Sequence, residues 1–285
     1  MADEMSIRVA IEDTMPTLTV SEKRAATVLL ARYPMVGLES ITGFAKAAEV
    51  STATIQRLVV KLGCASYPEF RQRLRSELAD RDNNPLTLFR DDVSEKPLAA
   101  FRDSLVGALT KTLDSIVPSE IAAVVDLLAD RKRRVYIAAG TFTYPLAEHL
   151  DFHLRKMRPG TTLLPQDTPR RADALLDIRK GDILVVFDVR RYQPDTLLTA
   201  ELAAERGATI VLLTDPWMSD IARMATHVFR CHVEATTPWD TLVAMASVVE
   251  LIAASVDRQT WPTLKERLEK LDSLRHATFV PDWHQ

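Results

Sequence analysis

The segment Val185-Val-Phe-Asp-Val-Arg-Arg-Tyr-Gln-Pro-Asp-Thr196 sets Arg190 and Arg191 directly after an apolar run and just ahead of a helix start at Pro194 and Asp195. A guanidinium is a planar fork of donors that matches a phosphate or carboxylate with two hydrogen bonds. The free amides of a helix first turn also favour negative charge. With Asp188 and Thr196 in the same stretch, and Thr141 and Thr143 in an earlier Gly-containing loop, these residues form a candidate pocket for a small anion. The residues alone leave a second reading open, in which one arginine pairs with Asp188 or Asp195 and braces the loop or a subunit contact.

A different chemistry is written into Ser51-Thr-Ala-Thr-Ile-Gln-Arg-Leu-Val-Val-Lys-Leu-Gly63. Ser51 is a good N-cap and Gly63 a good left-handed terminator, so the segment reads as a punctuated helix. Ile55, Leu58, Val59 and Leu62 recur at spacings of three and four and make one apolar face. Thr52, Ala53, Gln56, Arg57 and Lys61 lie off it. Short residues near the helix start and long ones further along suit a major groove, which admits a helix of this size. Residues 42–50, Thr-Gly-Phe-Ala-Lys-Ala-Ala-Glu-Val, supply a preceding helix and a tight turn, completing a helix-turn-helix pattern. Glu49 stands where such turns usually hold Gly, at a strain of roughly 1 kcal/mol. An amphipathic helix of an ordinary bundle is the plain alternative.

His149 and His153, four apart on a helical stretch, could reach one metal. With no third ligand nearby in sequence and no His-Glu-x-x-His pattern they read as solvated histidines, and no metal is expected. No Gly-x-Ser-x-Gly or Walker-type loop occurs, so no cofactor is implied. Trp217, Trp239, Trp261 and Trp283 are scattered and read as packing or interface residues.

The elements that must hold these groups follow from periodicity. From Ser21, read as an N-cap, to about Asp80 the pattern is helical, with breaks at Pro34, after Ala48 and after Gly63. Arg81-Asp-Asn-Asn-Pro-Leu is a polar linker. Helices over Leu98 to Ile116 and from Ser119 to Ala129 precede a change of period. Val135–Ala139, Thr161–Leu164, Ile183–Phe187, Thr209–Leu213 and His227–Cys231 are short, largely β-branched apolar runs that alternate with helical stretches such as Pro145 to Lys156 and Asp195 to Arg206. Continuous rather than alternating apolar strands mean a parallel sheet covered on both faces. Leu242 to Val256 is apolar nearly all round, which fits a helix in the core or at a subunit interface.

A chain of 285 residues has room for two domains. Its net charge of -3 gives no global attraction to nucleic acid, yet Lys46, Arg57, Lys61, Arg71, Arg73 and Arg75 face only Glu49 and Glu69 within one window. Cys64 and Cys231 are far apart and read as buried apolar residues of a reducing compartment. The acidic start, and an apolar run short of the roughly 18 residues of a membrane span, place the protein in the cytoplasm with no membrane partner.

Leu38 to Leu78, above all Val50-Ser-Thr-Ala-Thr-Ile-Gln-Arg-Leu58 followed by Lys61-Leu-Gly-Cys-Ala-Ser-Tyr-Pro-Glu-Phe70, resembles the N-terminal module of the RpiR family of bacterial transcription regulators. The resemblance implies base-facing roles for Thr52, Ala53 and Arg57, peripheral or phosphate contacts for Ser51, Thr54, Gln56 and Lys61, and structural roles for Tyr67 and Phe70. The stretch from about Ile121 to Val256, through Gly181-Asp-Ile-Leu-Val-Val-Phe187 and Leu202-Ala-Ala-Glu-Arg-Gly-Ala-Thr-Ile-Val-Leu-Leu-Thr214, resembles the sugar isomerase (SIS) domain that partners this module. There the first loop commonly ends in a serine, matched by Thr143. The second commonly reads Ser-x-Ser-Gly-x-Thr and holds a sugar phosphate; here it reads Asp188-Val-Arg-Arg-Tyr-Gln193. Neither hydroxyl is kept and Arg191 replaces the glycine.

The resulting expectation is an α/β protein. An all-α helix-turn-helix domain over 1–81 is followed by a linker and connecting helix over 82–117, a doubly wound SIS domain over 118–258 that senses effector and dimerises, and a C-terminal helix and tail over 259–285. It would bind operator DNA as a homodimer or higher homo-oligomer and respond to a small anionic metabolite. The rival is a phosphosugar isomerase, weakened by the lost serine loop.

Overall fold

A computed structural model describes residues 6–82, 97–237 and 239–279. The acidic start at 1–5, the linker reading from 83 onward and Trp283 lie outside the described residues. The chain divides into two compact units, one on each side of residues 83–96.

The first unit is helical: α1 (Ile7–Thr14), a 3-10 turn (Met15–Thr17), α2 (Val20–Ala31), α3 (Met35–Leu38), α4 (Ile41–Ala47), α5 (Thr52–Lys61) and α6 (Tyr67–Asp82). Helix α2 begins earlier than expected, because Thr19 rather than Ser21 is its N-cap. Thr19 and Glu22 form a reciprocal capping box, whereas three residues after Ser21 stands Arg24, which cannot return the bond. Leu29, Phe44, Ile55, Leu58, Phe70 and Leu74 are fully buried in one core, each contributing about 1.5–3 kcal/mol of burial. The Tyr67 hydroxyl donates to the carbonyls of Gly37 and Glu39 at 3.2 and 3.1 Å, so Tyr67 and Phe70 pin α6 beneath α3.

The second unit runs α7 (Pro97–Asp114), α8 (Pro118–Ala129), β1 (Val135–Ala139), α9 (Tyr144–Met157), β2 (Thr161–Leu163), α10 (Thr168–Leu175), β3 (Ile183–Asp188), α11 (Pro194–Glu205), β4 (Thr209–Thr214), a 3-10 turn (Asp220–Arg223), β5 (His227–Arg230) and α12 (Val243–Phe279). The strands are all parallel in the order β2-β1-β3-β4-β5. Strands β1 and β3 are buried at every position, as their unbroken apolar runs require. One face carries a core of Val125, Leu128, Leu150, Leu154, Val248 and Ile252 from α8, α9 and α12; the other is covered by Leu175, Ala200 and Ala203 of α10 and α11. Both cysteines are buried and reduced.

Three elements of the second unit depart from the reading of the sequence. Helix α10 was not anticipated, since it is eight residues long and polar; the Asp167 carboxylate caps it by accepting from Arg170 N at 3.0 Å. Helix α7 is more than a connector, because it packs on α12 and the buried Thr112 hydroxyl accepts from His232 N at 2.8 Å. The helix that carries the apolar stretch from Leu242 does not stop with it near Val256. Helix α12 continues through Pro262 to Phe279. A proline removes one helical hydrogen bond and crowds the preceding turn, but Val256 and Leu264, both buried, anchor the helix on each side of it.

Candidate functional site: an exposed helix face and a cleft at the switch point

Helix α5 starts at the Ser51 cap, whose hydroxyl accepts from Thr54 N at 3.2 Å, and ends ahead of Gly63 at φ +82°. The turn before it leaves Glu49 at φ +53°, the strained position the sequence pointed to, and Val50 N closes the turn on the Ala45 carbonyl at 3.0 Å. Ile55, Leu58, Val59 and Leu62 are buried, while Ser51, Thr52, Ala53, Arg57 and Lys61 are exposed and Gln56 is half-buried. Thr54 differs from the rest of its set. It is buried, and its hydroxyl pairs with Ser51 Oγ and accepts from the Arg57 guanidinium at 3.2 Å, so it serves the helix start rather than the surface. Val60, on the same outward side as Ala53 and Arg57, is 56% exposed; the sequence reading assigned it to neither face.

Beneath this face lies Glu22 of α2. Its buried carboxylate accepts from Lys61 Nζ at 2.7 Å and stands 4.0 Å from Arg57 Nε. The Lys61 bond, opposed by burial and helped by the Thr19 cap, holds the Glu22 carboxyl down to about 2. One acidic side chain therefore caps α2 and fixes the two basic groups of α5.

The second constellation lies where the strand order reverses, between the carboxyl ends of β1 and β3, the place where open parallel sheets leave a crevice. Thr143 is buried there, and its hydroxyl donates to the carbonyls of Phe187 at 3.1 Å and Gly140 at 3.3 Å, tying the two strand ends together. Thr141 N donates to Gln193 Oε1 at 2.9 Å and Thr141 Oγ1 accepts from Gln193 Nε2 at 3.0 Å. A Cβ at position 140 would stand 3.0 Å from that Gln193 oxygen, so Gly140 gives the clamp its room.

The paired arginines part company. Arg190 turns inward, with Nε 2.9 Å from both carboxylate oxygens of Asp240 and its guanidinium 4.7 Å over Trp217. Asp240, fifty positions on, is a partner that the sequence reading did not name. Asp188 accepts from Ser219 Oγ, and Thr196 is fully buried, its hydroxyl without a partner. Arg191 is exposed and takes the left-handed conformation, φ +66°, in the position where SIS loops resembling this one carry glycine. Two donors of the loop go to Asp215, whose carboxylate accepts from Arg190 N and from Tyr192 Oη at 2.7 Å, as well as from Trp217 N and Met218 N at 3.1 Å each. Burial pushes the Asp215 carboxyl up to about 6 against these donors.

A cleft of about 240 Å³ nevertheless opens beside the loop, lined by Ala139, Thr141, Gln166, Arg171, Gln193, Pro194 and Asp195. Arg171 of α10 was missed in the sequence because its helix was. It is buried, and its guanidinium donates to two neutral groups, the Pro165 carbonyl at 2.9 Å and the Thr199 hydroxyl at 3.4 Å. Burial lowers its pKa, opposed by the nearby Asp195 charge.

Residues 5–81 match the rpiR-family helix-turn-helix domain, and residues 127–255 match the SIS domain. The chain belongs to the RpiR family. Across 283 residues, 96% of each chain, it is 22% identical to the HTH-type transcriptional regulator HexR of Escherichia coli K12. The sugar isomerase domain of an RpiR transcription factor from Sphaerobacter thermophilus matches with a TM-score of 0.57 at 26% identity, over 63% of this chain and 99% of that one. NanR of Vibrio vulnificus, solved with ManNAc-6P, shares the fold with a TM-score of 0.55 at 17% identity, over 96% and 100% of the two chains. The protein is an RpiR-type transcriptional regulator, with an α/β SIS unit that follows a helix-turn-helix unit in the sequence. Among the described residues of this RpiR-family chain, no helix is long and apolar enough to cross a membrane.

Proposed function

We propose that the protein binds operator DNA as a dimer through the exposed face of α5 and that a small polyhydroxylated anion, received in the cleft at the switch point, changes that affinity. The observation that carries the first half is the division of α5 into a sealed apolar face and an open face of Thr52, Ala53, Gln56 and Arg57. Short residues at the amino end allow close approach to base edges, Arg57 reaches further, and Val60 is placed for apolar contact with a thymine methyl. Ser51 and Lys61 flank this face as phosphate contacts. A single helix-turn-helix reads too few base pairs for selective binding, so two copies on a twofold axis reading half-sites about one helical turn apart are required.

For the effector, Arg171 is the anchoring cation. A buried guanidinium bonded only to neutral acceptors at a cleft wall retains its attraction for an anion. Thr141, Gln166, Gln193 and Asp195 offer donors and acceptors to hydroxyl groups around it. Arg191 lies on the same loop but outside the cleft lining, and Arg190 and Asp188 act as braces. The sugar phosphate bound by NanR is a ligand of the chemistry this cleft would accept. We read the domain as sensing rather than converting its ligand, in keeping with relatives named as transcriptional regulators; Asp215, the carboxyl raised toward neutrality, is fully buried and bonded to Tyr192 rather than part of the cleft lining. An effector acts here only by binding one arrangement of the protein more tightly than another.

Two measurements test this. Purified protein should retard DNA from its own upstream region with an affinity that falls steeply with salt; no retardation at low salt overturns the regulator reading. Arg171→Gln should abolish the response to phosphorylated or carboxylated sugars while operator binding without effector is unchanged, and an undiminished response moves the anion site elsewhere.

A further inference from the structure

We infer that His149, His153 and Glu250 form a binding site for a zinc-like divalent cation on the outside of the SIS unit. The two histidines project from one side of α9, four residues apart, with ring centroids 4.7 Å apart at 79°. Sequence spacing gave them no third partner. The fold brings one from α12, where Glu250 Oε1 lies 2.6 Å from His149 Nε2. One ligand atom from each of the three side chains falls within 4.8 Å of the others, so that a single ion can lie within bonding reach of all three after small rotamer adjustments.

The donor set names the class of ion. Imidazole nitrogens favour zinc and its first-row neighbours over magnesium or calcium, which seek oxygen-only shells. Two histidines and one glutamate with an open side make a three-ligand zinc site whose fourth position is left to water or a small ligand. His149 and Glu250 keep 40% and 60% of their side-chain surface, so an ion has a path in. Two other histidine–carboxylate pairs, His227 with Glu120 and His232 with Glu234, join only two such groups each. Among the described residues, only the α9–α12 cluster gathers three ligands.

Bound there, the cation would cross-link α9 to α12. Helix α9 starts at Thr143, the residue that ties β1 to β3 beside the cleft. The ion would therefore stiffen one wall of the sensor unit, and it would do so whether or not the cleft takes an anion. The ligands must be deprotonated, so acid displaces the ion.

The experiment titrates the full-length, chelator-stripped protein with Zn²⁺ against a chromogenic zinc chelator. The wild type should take up one equivalent per chain. His153→Gln and Glu250→Gln should each weaken uptake about tenfold or more, the scale on which even outer partners of a metal act. His227→Gln should leave it unchanged. Zinc should raise the thermal midpoint of the wild type and not of His149→Gln, and it should shift the ring resonances of His149 and His153 in preference to the other four histidines. Glu250 is exposed and the two histidines are half-buried, so the thermal midpoint of each zinc-free variant is measured first to show that it folds like the wild type. The proposal is overturned if His149→Gln/His153→Gln binds zinc as tightly as the wild type, or if the wild type takes up none in competition.

Discussion

Helix α5 and the loop after β3 hold similar side chains and dispose of them in opposite directions. Arg57 keeps 64% of its side-chain surface, whereas Arg190 keeps 5% and is consumed by Asp240. In the helix, the backbone period fixes which residues look outward, so burying Ile55, Leu58 and Val59 exposes Ala53, Arg57 and Val60 by geometry alone. In the loop no period operates, and the direction of each side chain is decided by partners from distant chain segments: Asp215 after β4, Asp240 ahead of α12. A charged residue on a helix face is thus open to a macromolecular partner by default. At a strand end its availability depends on carboxylates that fold over it.

The largest test of this contrast is Asp240→Ala. Removing one partner of a buried ion pair strands the other, so the second unit should lose about 3–5 kcal/mol, measured by urea unfolding. The double variant Arg190→Met/Asp240→Leu should recover much of the loss, because the cost lies in the uncompensated charge. If Asp240→Ala unfolds like the wild type, Arg190 has another role and returns to the list of effector ligands. On the helix, Arg57→Ala should leave the unfolding midpoint nearly unchanged but weaken operator binding by about 1–3 kcal/mol and relax its selectivity. An unaltered footprint and affinity would remove Arg57 from the interface.

The same reasoning explains what was legible before the structure. Strand β1 is read without error because its unbroken apolar run has no other use, and α5 because Ser51 and Gly63 punctuate it. The strained turn at Glu49 was visible from its place in the helix-turn-helix pattern. What stayed hidden depends on contacts across the fold. Arg171 sits on a short polar helix with no apolar period, Glu250 meets His149 across 101 positions, and Asp240 meets Arg190 across fifty. The first cap of α2 was misplaced by two residues because Ser21 and Thr19 are both good capping types, and the reciprocal Glu22 bond decides between them.

Glu22 joins stability to the recognition face and gives a medium-sized prediction. Glu22→Gln replaces the charge-assisted bond to Lys61 with a neutral one, while the glutamine oxygen can still close the capping box with Thr19 N, so the cost to the first unit is that of the charged bond, about 1–3 kcal/mol. Because the folded carboxyl is held below its unfolded value, its stabilisation is fully present above about pH 4.5 and is lost as pH falls toward about 2. The wild type should therefore lose first-unit stability through that window more steeply than Glu22→Gln. Parallel acid curves would show that the Lys61 bond does not form in solution.

The smallest effect belongs to Glu49, and its sign must be argued. A non-glycine residue at φ +53° carries strain of about 1–2 kcal/mol. Glu49→Gly releases it, but gives the unfolded chain about 0.4–1 kcal/mol of extra entropy. It also removes the exposed contact with Arg24 at 3.8 Å, a pair worth at most about 1 kcal/mol. The net gain against the wild type is therefore small. Glu49→Ala loses the same ion pair and keeps the strain, so the difference between the two variants isolates the backbone. At an ordinary helical position alanine would be the more stable by about 1 kcal/mol; at this turn glycine should win by a similar amount. If alanine is the more stable, the turn between α4 and α5 is not left-handed at residue 49, and the alignment of the open face of α5 has to be rebuilt from a different turn.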